Sequence, residues 1–260
     1  AEAGPADDWH LLWRLVRHWA WVKPERDTLL LVGWVAASML AGLLPWHPPV
    51  WVTAPSSSGK STLFKLVLAI IGDGWTIAIS EPTEAAVRQS LGPSARPCMI
   101  DELEPDATNT RARDVARLVR LATDPVQPGV RRGSPDGESR EFPIRALLFF
   151  SSILVPPLDP QELNRITIFQ LTELTAAGDE RAKVRTAIRD FARMGPGMRA
   201  RMLERWPAFY DAQALFEAAL TRMGHRTRLL DQAGTLLTCA WLALHDDLPS
   251  PEGVAECLAI

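Results

Sequence analysis

The chain has 260 residues, of which 47% are hydrophobic and 23% charged, and its formal net charge is -3. This composition excludes collagen-like, low-complexity and disordered chains, and the length is ample for a large hydrophobic core. The near-neutral charge excludes a histone-like cover of positive charge but leaves room for a local basic patch. The chain has three cysteines, too few for a disulfide framework, and they form no CxxC pair of the kind that binds zinc. This cysteine usage favours a reduced, cytoplasmic protein.

The first 48 residues predict a helical leader. Apolar residues recur at helical spacing over 8–22, where Asp7 or Asp8 would cap the helix. The run 29–44 carries no charge, but a membrane-spanning helix needs roughly 20 apolar residues. Its two glycines and the prolines after it favour a buried helix, so we expect no membrane segment. The chain begins at Ala1 rather than Met, and we expect it to be a piece of a longer protein.

The middle of the chain, residues 49–173, predicts an α/β core. Short apolar runs typical of buried strands alternate there with helical patterns, an arrangement that indicates a central, mainly parallel five-stranded sheet. The predicted strands are 50–54, 75–79, 97–101, 145–152 and 165–171, and the predicted helices between them are 61–71, 83–91 and 111–123.

Residues 174–260 predict a C-terminal helical region without strands. The helical patterns are interrupted at Gly195-Pro196-Gly197 and again near Gly224. One of these patterns places Arg181, Arg185, Arg189 and Arg193 on one helix face, which we interpret as a solvated face rather than a nucleic-acid contact. The predicted helices are 179–194, 198–206, 211–223 and 229–245.

A loop that binds phosphate is the most specific signal in the sequence. Residues 54–61 read APSSSGKS and match the P-loop pattern G-x-x-x-x-G-K-[ST], except that Ala54 replaces the first glycine. The loop lies between a predicted strand and a predicted helix, so its backbone N–H groups and the helix N-terminus would surround the β-phosphate. Lys60 would bind the β- and γ-phosphates, Ser61 would offer its hydroxyl to Mg²⁺, and Gly59 would let the backbone approach closely.

The cofactors predicted from this loop are ATP and Mg²⁺. The alternative is a serine-rich turn that happens to precede a lysine, and the strand before the loop and helix after it count against that. The predicted nucleotide-binding residues are Ala54, Pro55, Ser57, Ser58, Gly59, Lys60, Ser61 and Thr62.

An acidic pair ends the third predicted strand. Asp101 would hold the Mg²⁺ ion, through water, and Glu102 would polarise the water that attacks the γ-phosphate. Acidic residues also cap strands for purely structural reasons, and the phosphate loop upstream is what favours the catalytic role. We interpret Glu104 and Asp106, which follow, as solvated loop residues.

Two further positions are candidates for sensing the γ-phosphate. The predicted strand 145–152 ends in Ser151 and Ser152, either of which would supply a sensing hydroxyl, and we favour Ser152; the alternative is two serines in a turn. Arg165 precedes the last predicted strand and would reach a neighbouring subunit as an arginine finger. The alternative for Arg165 is a surface ion pair at a strand edge.

A basic hairpin is predicted between the acidic pair and the sensor strand. Residues 135–137 read Pro-Asp-Gly, a strong turn signal, and the flanking segments would pair and bring Arg131, Arg132 and Arg140 together. Such a loop would bind a nucleic-acid backbone through charge, with little reading of bases. The alternative is a solvated hairpin in which the arginines pair with glutamates of the same loop.

Residues 46–171 resemble the ATPase module of replicative helicases carried by phages, plasmids and integrated elements, often fused to a primase. These modules are similar to superfamily-three helicases and belong among the AAA+ ATPases. The resemblance rests on the phosphate loop, Asp101-Glu102, Arg132-Gly133, the Ser151-Ser152 strand and Asn164-Arg165, in that order. The chain departs from the family at Ala54 and in using arginine where the family's pore loop commonly has lysine and histidine.

The resemblance implies a homo-hexamer that hydrolyses ATP, translocates on DNA and unwinds it during replication of a mobile element or phage. It also implies a primase domain or partner outside this chain. Two alternatives stay open: a nucleotide-gated AAA+ switch or scaffold of the defence or signalling kind, and a protein remodeller. A remodeller's pore loop should show an aromatic–apolar pair, whereas residues 128–142 show arginines.

Overall fold

Helices cover both faces of a five-stranded parallel sheet in the computed structural model of the chain. The structure describes residues 1–80, 83–103, 110–123, 132–133, 139–140, 144–173 and 178–259. Its strands are β1 (Val50–Thr53), β2 (Ile77–Ser80), β3 (Cys98–Asp101), β4 (Arg132–Gly133), β5 (Ser139–Arg140), β6 (Leu148–Ser152) and β7 (Thr167–Gln170).

The helices lie before, between and after these strands. Short 3₁₀ turns at Asp73–Trp75 and Trp206–Ala208 and a π-turn at Leu230–Gly234 accompany them. The α-helices are α1 (Ala6–Val16), α2 (Pro24–Met39), α3 (Lys60–Ile71), α4 (Glu84–Leu91), α5 (Thr110–Thr123), α6 (Pro160–Leu163), α7 (Gly178–Arg205), α8 (Phe209–Arg222), α9 (Thr235–Leu244) and α10 (Pro251–Leu258).

The sheet confirms the predicted α/β class. Its strand order is β2-β3-β6-β1-β7, and every neighbouring pair is parallel. Val50 of β1 pairs with Phe149 of β6 on one side and with Thr167 of β7 on the other. Because all five strands run the same way, their carboxyl ends meet at one edge of the sheet, where ligands bind in open parallel sheets.

A separate two-stranded ribbon is formed by β4 and β5. Arg132 lies opposite Arg140, and Gly133 lies opposite Ser139, in antiparallel pairing. This backbone pairing confirms the predicted hairpin pairing on either side of the Pro-Asp-Gly segment. The segment itself, residues 134–138, and Arg131 lie outside the described residues.

The helical leader forms as two helices, but its predicted cap was wrong. Helix α1 begins directly after Pro5, so Asp7 and Asp8 lie inside the first turn, and no side chain caps the helix. Their negative charges still favour the helix N-terminus there. Helix α2 is mostly buried, and it packs closely on α9 at Gly33. None of the helices within the described ranges has both the length and the apolarity to cross a membrane.

The predicted break at Gly195-Pro196-Gly197 was also wrong, because α7 runs through it without interruption. Pro196 removes one backbone hydrogen bond from the helix. Gly195, however, lies directly against α3: a Cβ atom there would stand 2.1 Å from the carbonyl oxygen of Ile70. The close packing of α7 on α3 therefore overrides the local preference of this segment for a turn.

The sheet separates two clusters of buried side chains. One face, which we call the α3 face, carries Val52, Met99 and Phe149 and is covered by helices from both ends of the chain. The other, the α5 face, carries Trp51 and Phe150 and is covered by α4 and α5. Leader, phosphate-loop helix and C-terminal helices thus share one core, which holds the carboxyl edge of the sheet in place.

Candidate functional site

A cavity of about 540 Å³ opens at the carboxyl edge of the sheet. It lies where the loop after β1 and the end of β3 face each other, beside the strand that separates them. The cavity brings together the predicted phosphate loop and both predicted acids. Its lining residues are Pro55, Ser56, Ser57, Ser58, Gly59, Lys60, Ser61, Thr62, Asp101, Glu102 and Ile153.

The loop after β1 has a backbone conformation that is compatible with anion binding. Ser57 has φ 65° and Gly59 has φ 83°, so two residues of the loop adopt the left-handed conformation. Such alternation turns successive backbone N–H groups toward one concavity. Helix α3 starts immediately afterwards at Lys60, and its N-terminus adds partial positive charge at the same place.

Ala54, which stands where the P-loop pattern has glycine, is buried and does not line the cavity. Its N–H donates to the Ser152 carbonyl at 3.3 Å, which continues the β1–β6 pairing by one residue. Its φ is not positive, so alanine stands there without backbone strain. The departure from glycine is therefore compatible with the shape of the loop.

Ser58 is a buried polar group within the loop. It is 1% exposed, and its Oγ has no hydrogen-bond partner among the described residues. Buried hydroxyls are normally hydrogen-bonded, and an unsatisfied one costs free energy. A ligand that brings acceptor oxygens into the cavity would offer Ser58 the partner that it lacks.

The side chains that follow the loop differ in exposure. Lys60 and Thr62 are half-buried at the start of α3, and Ser61 is exposed to the cavity. Ser61 and Asp101 are the predicted Mg²⁺ ligands, and both line the same cavity. A hydroxyl and a carboxylate are hard oxygen donors. They suit Mg²⁺, which in such sites takes one or two ligands from the protein and the rest from water and from the phosphates of the substrate.

The two acids lie at the end of β3, where the chain turns out of the sheet. Asp101 is the final residue of that strand, and Glu102 follows it in the left-handed region with φ 58°. The Glu102 N–H donates to Asp101 Oδ1 at 3.0 Å. This turn leaves the Glu102 side chain exposed at the cavity and fixes one oxygen of the half-buried Asp101 carboxylate.

The structure separates Ser151 and Ser152 by face. Ser152 belongs to the α5 face, where its Oγ accepts a hydrogen bond from Trp51 Nε1 at 2.8 Å and donates to the Leu154 carbonyl at 2.7 Å. Ser151 belongs to the α3 face beside Val52, and its fully buried Oγ has no hydrogen-bond partner within the described part of the chain. Sequence analysis favoured Ser152, whose hydroxyl is already engaged in the structure.

The signal that distinguishes the two serines was present in the sequence. Side chains alternate between the faces of a strand, so Ser151 lies on the same face as Phe149. The helix after the phosphate loop covers the face that carries Phe149, because Phe64 of α3 contacts that ring. A period-two count along β6 therefore separates the two serines, and the contact of Phe64 with Phe149 shows that Ser151 is the one on the side of α3.

Arg165 lies at the opposite edge of the sheet from the cavity. It precedes Thr167, the first residue of β7, which pairs with the first residue of β1. Its Nη1 donates to Thr123 Oγ1 at the end of α5, at 2.7 Å. The cavity and Arg165 of one chain are thus at different ends of the same sheet.

Sequence analysis missed a contact between the leader and the phosphate loop. Trp19 Nε1 donates to the Gly59 carbonyl at 3.1 Å. The helix predicted over 8–22 includes Trp19 among its apolar residues, but α1 ends at Val16. No sequence pattern marks a contact between an indole and a backbone carbonyl forty positions away.

Comparison with known proteins identifies similar folds but no family. No family model matches the chain, and no curated protein matches it. A structure described as "SCCmec type IV Cch - active helicase" matches over 100% of this chain and 50% of that chain, with 16% sequence identity and a TM-score of 0.50.

Structures of the NrS-1 C-terminal region resemble a smaller part of the chain. The match to the apo structure of residues 305–718 covers 74% of this chain and 46% of the NrS-1 chain, with 12% identity and a TM-score of 0.46. The A form covers 76% and 46%, with 11% identity and a TM-score of 0.46. The chain spans about half the length of these solved proteins. Its α/β fold, with a five-stranded parallel sheet between helices, is similar to the fold of the Cch helicase structure.

Proposed function

We propose that this chain is the P-loop ATPase module of a helicase that translocates on DNA. The observation that carries the proposal is the cavity that brings the loop 55–59, Lys60, Asp101 and Glu102 together at the carboxyl edge of the sheet. The similarity of the fold to the Cch helicase structure supports it. The three regions 1–48, 49–173 and 174–260 would act as leader, ATPase core and C-terminal helical region of one cytoplasmic protein.

ATP would bind with its phosphates in the loop. The N–H groups of the loop and the N-terminus of α3, which starts at Lys60 beside the cavity, would face the phosphates, and Lys60 would add a full positive charge. Ser61 and Asp101 would hold Mg²⁺, which neutralises phosphate charge when bound. The remaining predicted contacts, Ala54, Pro55, Ser57, Ser58 and Thr62, lie on the loop or next to it.

Hydrolysis would use Glu102 as the base. A water oxygen attacks the γ-phosphorus while the bond to the oxygen that bridges the β- and γ-phosphorus breaks, which gives ADP and phosphate. Glu102 accepts the proton of that water, and its exposure at the cavity suits this role. We assign the sensing hydroxyl to Ser151 in preference to Ser152, because only the Ser152 hydroxyl is engaged elsewhere.

Arg165 would act on the nucleotide of a neighbouring subunit. Since the cavity and Arg165 lie at opposite edges of one sheet, a head-to-tail arrangement of subunits would bring one subunit's arginine to the next one's phosphates. Such an arrangement forms a ring when the rotation between subunits closes, and we propose a hexameric ring. The guanidinium would exchange its hydrogen bond to Thr123 for the γ-phosphate.

The β4–β5 ribbon would contact DNA. The pairing of Arg132 with Arg140 puts two basic positions opposite each other, and Arg131 adjoins them in sequence. Positive charge on a projecting ribbon binds phosphates without regard to base sequence. A primase domain or partner would lie outside this chain, as in the replication proteins of mobile elements and phages.

The test is ATP hydrolysis measured with and without single-stranded DNA. The variants are Lys60→Ala, which removes the charge at the phosphates, and Arg132→Ala, which removes charge from the ribbon. Arg193→Ala is the matched control, because it removes an arginine from an exposed helix face far from the ribbon in sequence. We expect Lys60→Ala to abolish turnover and Arg132→Ala to lose only the stimulation by DNA.

Three outcomes would contradict the proposal in different ways. Turnover that depends on Lys60 but ignores DNA would replace the motor with a nucleotide-gated switch or a protein remodeller. Wild-type protein that neither binds nor hydrolyses ATP would exclude the ATPase. An equal loss of DNA stimulation in Arg132→Ala and Arg193→Ala would remove the ribbon as the DNA contact.

A further inference from the structure

We propose that Trp19 is a positioning residue of the nucleotide site, through which the N-terminal leader holds the phosphate loop in its binding conformation. The proposal rests on the proposed ATP site. It adds to that site a residue from outside the α/β core, and it makes the leader respond to nucleotide.

The contact is directed at the residue that connects the loop to its helix. Trp19 Nε1 donates to the Gly59 carbonyl at 3.1 Å. The same oxygen accepts the N–H groups of Thr62 at 3.0 Å and Leu63 at 2.9 Å, which begin α3. The indole is thus an additional donor, from a different part of the chain, to the carbonyl that starts the helix.

The position of this carbonyl controls the next backbone donor. In a trans peptide the C=O and N–H groups point in opposite directions. A donor that fixes the Gly59 carbonyl therefore also fixes the N–H of Lys60, which faces away from the helix toward the cavity. Gly59, at φ 83°, has no Cβ to limit its rotation. A hydrogen bond from outside the loop therefore restricts the backbone more at Gly59 than it would at another residue.

Trp19 is itself held firmly by the sheet. The segment 19–22 forms an antiparallel bridge between Trp21 and Leu171, directly after β7. The Val22 N–H donates to the Gln170 carbonyl at 2.9 Å, and the Thr172 N–H donates to the Ala20 carbonyl at 2.8 Å. The leader thus adds a short backbone pairing to the carboxyl edge of the sheet.

The same pairing reaches the other end of the phosphate loop. Leu171 N–H donates to the carbonyl of Thr53, the last residue of β1, at 3.0 Å. The loop leaves the sheet at Thr53 and enters α3 after Gly59, so one short stretch of chain connects both of its ends. Trp19 is 5% exposed, and a hydrogen bond that is shielded from water is stronger than an exposed one.

Coupling of this kind works in both directions. If Trp19 stabilises the conformation of the loop that binds nucleotide, nucleotide must stabilise the contact with Trp19 by the same free energy. Binding of ADP should therefore reduce opening of the 19–22 segment, although no residue of that segment lines the cavity.

The experiment compares Trp19→Phe with Trp21→Phe. Each substitution keeps an aromatic ring and removes one indole N–H bonded to a backbone carbonyl, since Trp21 Nε1 donates to the Val16 carbonyl at 2.7 Å. Only the Trp19 bond reaches the phosphate loop. ADP binding is titrated by calorimetry, and Tm is measured for each protein without nucleotide.

We expect Trp19→Phe to raise the Kd for ADP roughly fivefold, which is the effect of losing one hydrogen bond of about 1 kcal/mol. Trp21→Phe should leave that Kd unchanged, and the two variants should have similar Tm values. Equal Kd values for wild type and Trp19→Phe, with wild type binding ADP normally, would overturn the positioning role alone. Failure of wild type to bind ADP would overturn the proposed ATP site as well.

A second measurement needs only the wild-type protein and holds even if a variant folds poorly. Hydrogen exchange of the 19–22 amides is followed with and without ADP, and α10 serves as the control segment. We expect ADP to slow exchange over 19–22 and to leave α10 unchanged. Equal exchange over 19–22 with and without bound ADP would overturn the coupling.

Discussion

The two faces of the central sheet are stabilised in different ways. On the α3 face, apolar side chains from the leader, α3 and the C-terminal helices form one cluster, and helix backbones approach each other closely at Gly33 and Gly195. On the α5 face, the apolar cluster is smaller and is bordered by buried carboxylates. Glu84 is paired there with Arg88, and Glu162 is paired with Arg120.

The two faces differ in the kinds of contact that they carry. On the α3 face, helix α3 is packed against helices that come from far along the chain. The α5 face carries the two ion pairs just named and the Arg165–Thr123 hydrogen bond. Substitutions where helix backbones touch on the first face should therefore act mainly on stability.

The largest effect is expected where two helices touch on the α3 face. A Cβ at Gly33 would stand 2.1 Å from the Leu236 carbonyl oxygen, so Gly33→Ala should separate α2 from α9 and cost about 3 kcal/mol of unfolding free energy. Urea unfolding measures it. Gly42→Ala is the control, because a Cβ there meets only Ala95 at 3.6 Å. Similar stability for both variants would contradict the close contact.

The two serines of β6 provide the sharpest comparison between the faces. Ser152→Ala leaves the buried Trp51 Nε1 without its acceptor and should destabilise the protein by about 2 kcal/mol. Ser151→Ala removes a buried hydroxyl that has no partner among the described residues, so stability should change by less than about 0.5 kcal/mol. Ser151→Ala should instead lower the rate of ATP hydrolysis. The reverse pattern in unfolding and turnover assays would return the sensing role to Ser152.

A smaller effect is expected for the ion pair between α5 and α6. Glu162 is nearly fully buried, whereas the Arg120 side chain is 54% exposed, with an N–O distance of 2.6 Å. Arg120→Ala should cost about 1 kcal/mol, because it leaves a buried carboxylate unpaired next to solvent. The exposed pair of Arg193 with Asp190 is the control, and Arg193→Ala should change stability by less than about 0.5 kcal/mol. Thermal unfolding of both variants decides this.

The smallest effect is a pH dependence on the α3 face. Burial raises the pKa of the Asp27 carboxyl above its usual value of 3.8, and Arg26 only partly opposes this. A raised pKa means that the folded state holds the proton more tightly than the unfolded state. Relative to Asp27→Asn, wild type should therefore be most stable below 3.8 and lose that advantage as pH rises through the raised pKa. Urea unfolding across this range tests the sign, and a growing advantage with pH would contradict it.

The fold was largely predictable because its strands are short and mostly apolar, and the three central ones, β3, β6 and β1, are almost wholly buried. Continuous apolar runs such as 145–152 predicted parallel strands, and five of them met in one sheet. The segment 195–197 was mispredicted because glycine and proline favour turns locally. Contact with Ile70, more than a hundred positions earlier, decided the outcome. Sequence periodicity contains no information about such a contact.

The site was predictable only where chemistry follows sequence spacing. Residues 55–62 and the pair Asp101-Glu102 line one cavity, as parallel strand ends require. The preference for Ser152 over Ser151 ignored strand alternation, which was available. The contact of Trp19 with the loop could not be predicted from sequence, because it depends on where α1 ends and how the segment after it pairs with Leu171.

The position of β1 in the sheet has a consequence for synthesis of the protein. Its two neighbours are β6 and β7. Neither side of β1 can therefore be paired until Phe149 or Thr167, the partners of Val50, has been synthesised. While the chain emerges from the ribosome, the apolar strand before the phosphate loop has no native partner until most of the chain has been made. Long-range pairing of this kind slows folding and exposes strand edges to aggregation. Truncated nascent chains that end before β6 should therefore depend on chaperones, and chains that extend past β7 should be released from them.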